Sequence, residues 1–237
     1  MDIHCHVLPG LDDGSKNMEE TLEMLRAAAD AGITDIIVTP HFKGGRHNAN
    51  PSDIYESINE VWEEADRQGI YINLYPGNEI FYFNDMEEAL ENDWVCTMNS
   101  SQYILLEFSP LDSFRTIRNA MDQVLGMEYR PILAHVERYN CMLEDWRNVE
   151  SLRSMGVEIQ VNASGVAGRA GRKVKKFVRL LLDRQLVDYI ATDAHGSRSG
   201  ITDLKRCLKQ LCKRCDPSYL EYILCGNALK MIVPQEM

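Results

Sequence analysis

The sequence contains no run of about 18 consecutive apolar residues, the length at which a segment becomes a candidate membrane helix. Its first residues also lack a basic segment followed by a hydrophobic stretch, which is the pattern of a secretory signal peptide. Cysteine occurs seven times, an odd number that does not suggest a disulfide framework. These absences predict a cytoplasmic protein with reduced thiols and no segment inserted into a membrane.

Basic residues are outnumbered, with 25 Lys and Arg against 36 Asp and Glu, so that the formal net charge is -11. Because such a surface repels phosphate backbones, nucleic acid is not expected to be the main partner. Gathered carboxylates instead attract divalent cations. The 237 residues show no internal repeat, low-complexity tract or linker, and therefore predict a single domain over residues 1–237.

Short β-branched segments alternate with amphipathic ones along the chain. The predicted strands are residues 2–6, 34–40, 71–76, 103–108, 131–136, 157–162 and 187–192. Apolar residues keep helical spacing most clearly in 17–31 and 52–68. This alternation predicts an α/β fold with a parallel sheet and right-handed crossovers. Seven strands favour a closed or nearly closed barrel, with an open doubly wound sheet as the alternative.

Histidines and carboxylates are concentrated where the predicted strands end. Residues i and i+2 of a strand point to the same side, so His4 and His6 project together, and Asp193 and His195 have the same spacing. Other strand ends and the turns beside them contribute His41, Glu79, Glu107 and His135. Five of the six histidines therefore lie at strand ends.

These side chains are predicted to form a metal site, because the carboxyl ends of barrel strands share one face. Imidazole and carboxylate together are ligands for zinc, manganese or iron. Cys5 points away from His4 and His6 by strand alternation and is expected to pack behind the sheet. The sulfur-free set favours Mn²⁺ or Fe²⁺, with Zn²⁺ as an alternative.

Six motifs, in order and spacing, resemble those of the polymerase-and-histidinol-phosphatase (PHP) superfamily. They are DIHCHVLPGLDDGS, VTPHF, GNEI, LLEF, AHVERY and ATDAH, and they cover residues 2–196. Within this superfamily the chain is most similar to the manganese-dependent bacterial protein-tyrosine phosphatases of capsule and exopolysaccharide synthesis. The resemblance implies a distorted (β/α)7 TIM-like barrel with three metal ions at its C-terminal rim.

The resemblance also implies how the ligands are shared among three divalent ions, with Mn²⁺ as the expected metal. The first ion takes His4, His6, Glu79 and Asp193; the second takes Glu107 and His135 and shares Glu79; the third takes Asp13, His41 and His195. Asp12 is the alternative to Asp13 for the third ion.

The activity implied by the resemblance is removal of phosphate from tyrosines in the tail of an autophosphorylating kinase that controls polysaccharide export. A hydroxide bridging two ions would attack phosphorus in line. Arg138, three residues after His135, is suited to bind the phosphate oxygens through bidentate hydrogen bonds from its guanidinium. Arg198 is a second candidate: family members often carry an arginine–proline pair after the DAH motif, and HGSRSG keeps the arginine without the proline. Family members also form homo-oligomers.

Two other functions are compatible with parts of this pattern. A small-molecule phosphatase, for example one acting on histidinol phosphate, would use the same metals in a narrower pocket. A catalytically weak binding protein would regulate the polysaccharide machinery by docking. The complete ligand set argues against the latter, because crowded ligands without a metal repel one another.

Four further patterns have structural interpretations. CMLEDWR (141–147) has the Cys-x5-Arg spacing of thiol phosphatases, but it contains acidic residues and no glycine. Four cysteines of the C-terminal region, Cys207, Cys212, Cys215 and Cys225, do not have the spacing of a zinc site. GGRHNANP (44–51) is predicted to be a mobile loop. RAGRKVKKFVR (169–179) is predicted to be a solvated helix face, with a steering patch for an acidic tail as the alternative.

Overall fold

The structure is a computed structural model that describes residues 1–44, 49–197 and 200–233. Residues 45–48 of the predicted loop lie outside the described residues. The described strands are β1 (Asp2–Cys5), β2 (Asp35–Val38), β3 (His41–Phe42), β4 (Asn73–Tyr75), β5 (Glu79–Phe81), β6 (Tyr103–Glu107), β7 (Arg130–Leu133), β8 (Glu158–Asn162) and β9 (Tyr189–Ala191). Each predicted run contains one strand, and β3 and β5 are additional short strands that the sequence did not indicate.

All described strand pairs are parallel, as the alternation of strands and helices predicted. The strands form a sheet of three, in the order β1-β2-β4, and a sheet of six, in the order β3-β5-β6-β7-β8-β9. The first strand also meets the end of the last one: the backbone N–H of His6 donates to Ala194 O at 3.0 Å, and that of Asp193 donates to His4 O at 2.8 Å. The sheets therefore curl towards each other.

The strand count differs from the predicted seven because two strands are interrupted. Two residues, Thr39 and Pro40, separate β2 from β3, and residues 76–78 separate β4 from β5. Proline lacks the N–H that a sheet ladder needs, so Pro40 and Pro76 lie where pairing is lost. Counting each interrupted pair as one strand would give seven, and the distorted (β/α)7 barrel stays a prediction.

Helices follow most of the strands. They are α1 (Met18–Asp30), α2 (Pro51–Arg67), α3 (Met86–Glu91), α4 (Phe114–Gly126), α5 (Asn140–Glu144), α6 (Arg147–Met155), α7 (Ala163–Ala167), α8 (Arg172–Asp183), α9 (Leu204–Leu211) and α10 (Pro217–Glu221). The predicted helices at 17–31 and 52–68 are confirmed as α1 and α2. The side chain of Asn17 caps α1, while Asn50 and Asp53 form a capping box at the start of α2.

The core is divided by the alternation of side chains along the strands. On β6, Ile104 and Leu106 pack in the main hydrophobic cluster, whereas Tyr103 and Leu105 belong to a second, smaller cluster. Glu107 follows these two on the same side of the strand. The side that is apolar at the start of β6 therefore becomes acidic at its carboxyl end, where the polar site lies.

Two sequence predictions about solubility and thiols can be compared with this fold. In the described ranges, every helix is too short or too polar to cross a lipid bilayer. All seven cysteines are free, and Cys5 packs in the main hydrophobic cluster, as strand alternation predicted.

Candidate metal centre

The buried imidazoles of His4 and His6 lie side by side at the end of β1, with their Nε2 atoms 3.2 Å apart. His4 Nδ1 lies 3.3 Å from Gln160 Oε1, and His6 Nδ1 lies 2.6 Å from Asp12 Oδ2. Both partners are acceptors, so each ring carries its proton on Nδ1 when neutral. The two Nε2 lone pairs therefore face the same space.

Two carboxylates complete this first cluster. Glu79 Oε2 lies 3.2 Å from Nε2 of both His4 and His6, and Asp193 Oδ1 lies 3.4 Å from His4 Nε2. Both oxygens are buried, and neither has a hydrogen-bond partner among the described residues. Burying carboxylate oxygens beside imidazole lone pairs is costly. A divalent cation satisfies all of them at once, so the residues present fit a metal ion.

Glu79 joins this cluster to a second one. Its other oxygen, Oε1, lies 2.8 Å from His135 Nε2, and Glu107 Oε1 lies 3.4 Å from the same nitrogen. Burial by itself lowers the basicity of His135, but Glu107 and Glu79 raise its pKa to about 9. His41 Nδ1 lies 3.0 Å from Glu79 Oε2 and 3.7 Å from Glu107 Oε2. His41 thus contacts this cluster as well as the third one to which the resemblance assigned it.

The third cluster lies at the mouth of the site. Asp13 Oδ1 is 3.4 Å from His41 Nε2 and 3.6 Å from His195 Nε2. The ring of His195 stacks on that of His6, with a centroid distance of 3.9 Å. Ligand atoms of His6, Asp13, His41 and His195 can all lie within 4.8 Å of one another. The structure therefore brings together all nine residues that the sequence singled out as ligands.

Asp12 and Asp13 have different surroundings. The side chain of Asp13 is 70% exposed, whereas that of Asp12 is 6% exposed and accepts from the backbone N–H groups of Gly14 and His41 at 2.9 Å. Although burial opposes ionisation, these bonds and the His6 imidazole lower the pKa of Asp12 to about 2. Asp12 is thus a fixed anion behind His6, while Asp13 faces the open side of the cluster.

Two neutral amides on β8 hold the charged residues in place, and the sequence did not indicate them. The backbone N–H of His135 donates to Gln160 Oε1 at 2.6 Å, which fixes the oxygen of this amide towards His4 and His135. Gln160 Nε2 donates to Asn162 Oδ1 at 2.7 Å, and Asn162 Nδ2 donates to Asp193 Oδ2 at 2.7 Å. The available signal was their i, i+2 spacing at the end of a strand, as for His4 and His6.

Two of the predicted metal ligands, His135 and Asp193, have unusual backbone conformations. The φ angle of His135 is 31° and that of Asp193 is 49°, both in the left-handed region. This conformation costs a residue with a side chain roughly 1–2 kcal/mol. Hydrogen bonds hold it, because both backbone N–H groups donate, to Gln160 Oε1 and to His4 O respectively.

The arginines expected to bind phosphate differ in what can be described. Arg138 lies in a 3₁₀ turn, Val136–Arg138, directly after His135, and its guanidinium donates to Asp193 Oδ2. Its side chain is 45% exposed at the rim of the site. Arg198 lies outside the described residues.

Residues 1–233 match the sequence model of a family described as "Capsular polysaccharide synthesis, CpsB/CapC". The chain belongs to the CpsB/CapC family. It is 31% identical to tyrosine-protein phosphatase YwqE of Bacillus subtilis (strain 168) over 229 residues, covering 96% of this chain and 89% of the relative. It is 30% identical to tyrosine-protein phosphatase CpsB of Streptococcus pneumoniae over 240 residues, with 99% of each chain covered.

Solved structures agree with this membership of the CpsB/CapC family. One belongs to the crystal structures of YwqE from Bacillus subtilis and CpsB from Streptococcus pneumoniae, described as "unique metal-dependent tyrosine phosphatases". Its TM-score is 0.91 at 28% identity. It covers 100% of this chain and 95% of the other. A histidinol phosphate phosphatase from Lactococcus lactis has a TM-score of 0.59 at 16% identity, over 90% of this chain and 93% of the other. The latter shows a common fold alone.

The cysteines of this CpsB/CapC member do not form a competing site. Arg147 Nε and a terminal guanidinium nitrogen donate to Asp145 at 2.8 and 3.0 Å, so this arginine is engaged within its own loop. Burial raises the pKa of the Cys141 thiol, whereas a thiol phosphatase requires a lowered one. Within the described ranges, none of the clusters that could hold a metal contains a cysteine.

Proposed function

We propose that this chain is a metal-dependent protein-tyrosine phosphatase acting on the tyrosine kinase that regulates capsular or exopolysaccharide synthesis. The observation that carries the proposal is the convergence of His4 and His6 Nε2 on carboxylate oxygens of Glu79 and Asp193 that have no hydrogen-bond partner in the described part of the chain. Membership of the CpsB/CapC family and relatives named tyrosine-protein phosphatases support the substrate class. We place the protein in the cytoplasm, since its cysteines are free.

The three clusters would hold three ions, with Mn²⁺ as the first choice because no sulfur is present. When bound, such ions lower the pKa of a water molecule and neutralise charge on phosphoryl oxygens. Glu79 would be shared between two ions, because its two oxygens face different histidines. Asp12 and Gln160 would keep the imidazoles of His6 and His4 in the tautomer that presents Nε2.

Arg138 would hold the substrate phosphate. Its guanidinium is half-exposed at the rim and contacts Asp193, so it can turn towards an incoming phosphoryl group without crossing the core. Two parallel N–H donors match two phosphate oxygens. Arg198 is proposed for the same role on its sequence position. The leaving tyrosine has a pKa of about 10, so little general-acid assistance is needed.

The proposal is tested by phosphate release from a phosphotyrosine peptide, using metal-stripped protein with and without Mn²⁺, Fe²⁺ or Zn²⁺. We expect activity only with metal, its loss in His6→Ala and Glu107→Gln, and full activity in Cys141→Ser. Activity without metal, or its loss in Cys141→Ser, would contradict the proposal. If histidinol phosphate, assayed in parallel, is the preferred substrate, the proposed substrate is wrong and the proposed metal centre stands. If the protein instead acts by docking, His6→Ala should retain the biological effect.

A further inference from the structure

Helix α8 carries five cations and one carboxylate, although the protein as a whole is acidic. In α8, the residues Arg172, Lys173, Lys175, Lys176 and Arg179 form what we call the basic face, while Phe177 and Val178 are buried beneath it. The whole chain has a net charge of -11. Positive charge therefore outweighs negative charge on this surface.

The described residues do not neutralise the basic face. Within the described part of the chain, no carboxylate lies within 4.0 Å of a side-chain nitrogen of its five members. Neighbouring arginines do have such partners: Arg169 contacts Asp203, and Arg214 contacts Asp183. The five cations are therefore available to an external anion.

The arrangement is also unfavourable for the helix. Lys176 and Arg179 are three residues apart, and Arg172 and Lys176 are four apart, so like charges are neighbours on the helix surface. The first turn contains no acidic residue, although the helix dipole favours negative charge there. Each such pair costs a few tenths of a kcal/mol. A charge pattern that lowers helix stability in this way is expected where the charges have a function.

The helix that carries the basic face lies beside the catalytic rim. Its helix packs against the Val136–Arg138 turn that follows His135. The preceding helix α7 starts directly after Asn162 at the metal centre and ends at Ala167, with Gly168 as its C-cap. The stem of Lys175 lies over Gly168, where a Cβ atom would come within 2.8 Å of Lys175 Cδ. Lys175 is thus held close to the end of α7.

A groove of about 500 Å³ runs along this surface. Arg172, Lys175, Lys176 and Arg179 line it on one side, with Arg184 and Arg214 further along. Its single acidic lining residue, Asp183, is engaged with Arg214. The groove can accommodate an extended peptide with carboxylates directed at the lysines.

We propose that the basic face binds an acidic segment flanking the phosphotyrosine in the substrate protein. This inference rests on the proposed function, because the segment is attached to the tyrosine held at the metal centre. Charge complementarity would raise the rate of encounter and would be screened by salt. The effect should therefore appear in KM, while kcat is unchanged.

The test compares two peptides that contain the same phosphotyrosine, one with Glu and Asp flanks and one with Gln and Asn flanks. Lys176→Glu/Arg179→Glu should raise KM for the acidic peptide roughly tenfold. KM for the neutral peptide and for p-nitrophenyl phosphate should not change. Lys205→Glu/Lys209→Glu on α9, which makes the same change in charge at exposed positions, serves as the matched control. High salt should remove the wild-type preference for the acidic peptide.

Equal effects of the two double variants, or no wild-type preference between the peptides, would overturn the proposal. If neither phosphopeptide is hydrolysed, the proposed function fails and the basic face is tested separately. The probe is then a fluorescent unphosphorylated acidic peptide, whose binding should be lost in Lys176→Glu/Arg179→Glu. Binding of anionic vesicles or RNA without binding of the acidic peptide would refute the assignment of the partner.

Discussion

Nε2 of His4 and Nε2 of His6 face each other at 3.2 Å with no hydrogen between them when both rings are neutral, because each ring donates from Nδ1. Two lone pairs at this distance repel, and the carboxylates of Glu79 and Asp193 add negative charge on the same space. These side chains are brought together only in the folded chain, so a cation that relieves their repulsion binds only the folded state. Metal binding therefore raises the free energy of unfolding.

Mn²⁺ should therefore stabilise the protein against heat. At a free concentration of 100 times Kd, one binding site adds about 2.7 kcal/mol to the free energy of unfolding. For a chain of this length, that corresponds to a rise in Tm of roughly 5–10 °C. Thermal unfolding followed by circular dichroism measures it. His6→Ala should lose the rise, and an equal rise in that variant would show that Mn²⁺ binds elsewhere.

Gln160→Met should weaken metal binding although Gln160 is not a proposed ligand. The substitution keeps a long side chain but removes the acceptor that orients His4 and the backbone of His135. Loss of such an outer partner lowers metal affinity by roughly 10–100-fold. Titration calorimetry with Mn²⁺ measures the change. Gln102→Met, at an exposed glutamine, is the control, and equal affinities of the two variants would contradict the role of Gln160.

Asp12→Asn and Asp13→Asn should have different effects. Asp12 is buried and accepts from His6 and two backbone N–H groups, so its neutralisation should cost about 1–3 kcal/mol of stability in metal-free protein. Asp13 is exposed, so Asp13→Asn should leave metal-free stability unchanged but lower the number of bound ions. Chemical unfolding and metal analysis after dialysis separate the two effects. A reversed pattern would make Asp12 the ligand.

Away from the site, Asp188→Ala should strongly destabilise the fold. The buried carboxylate of Asp188 accepts from Arg153, the backbone N–H of Ile159 and the hydroxyl of Tyr222. Breaking a buried ion pair costs about 3–5 kcal/mol. The exposed pair of Arg147 and Asp145 provides a comparison, and Asp145→Ala should change stability far less than Asp188→Ala. Similar urea midpoints for both variants would refute this difference.

The sequence predicted those parts of the site that follow from local rules. Alternation along a strand places His4 beside His6, and the common direction of parallel strands brings Glu107 near His135. Other contacts depend on the course of loops and turns. The path of residues 7–17 decides which of Asp12 and Asp13 faces the open side, and the turn after His135 brings Arg138 to Asp193.

The strands β3 and β5 were not predicted for a different reason. Each contains only two or three residues and follows a proline-containing break, so it has no periodicity that could be recognised. Gln160 and Asn162 were overlooked because neutral amides are not sought as metal ligands. Their importance depends on which neighbours they contact, and a strand sequence does not contain that information.

The left-handed backbones of His135 and Asp193 have a consequence for protein engineering. Glycine adopts these angles without a steric penalty, so His135→Gly and Asp193→Gly relieve backbone strain while deleting side chains that the metal centre needs. A directed-evolution screen that rewards only heat resistance in metal-free buffer would favour such changes. The most heat-resistant variants would then lack activity, and selection for activity in the presence of Mn²⁺ would be needed to retain catalysis.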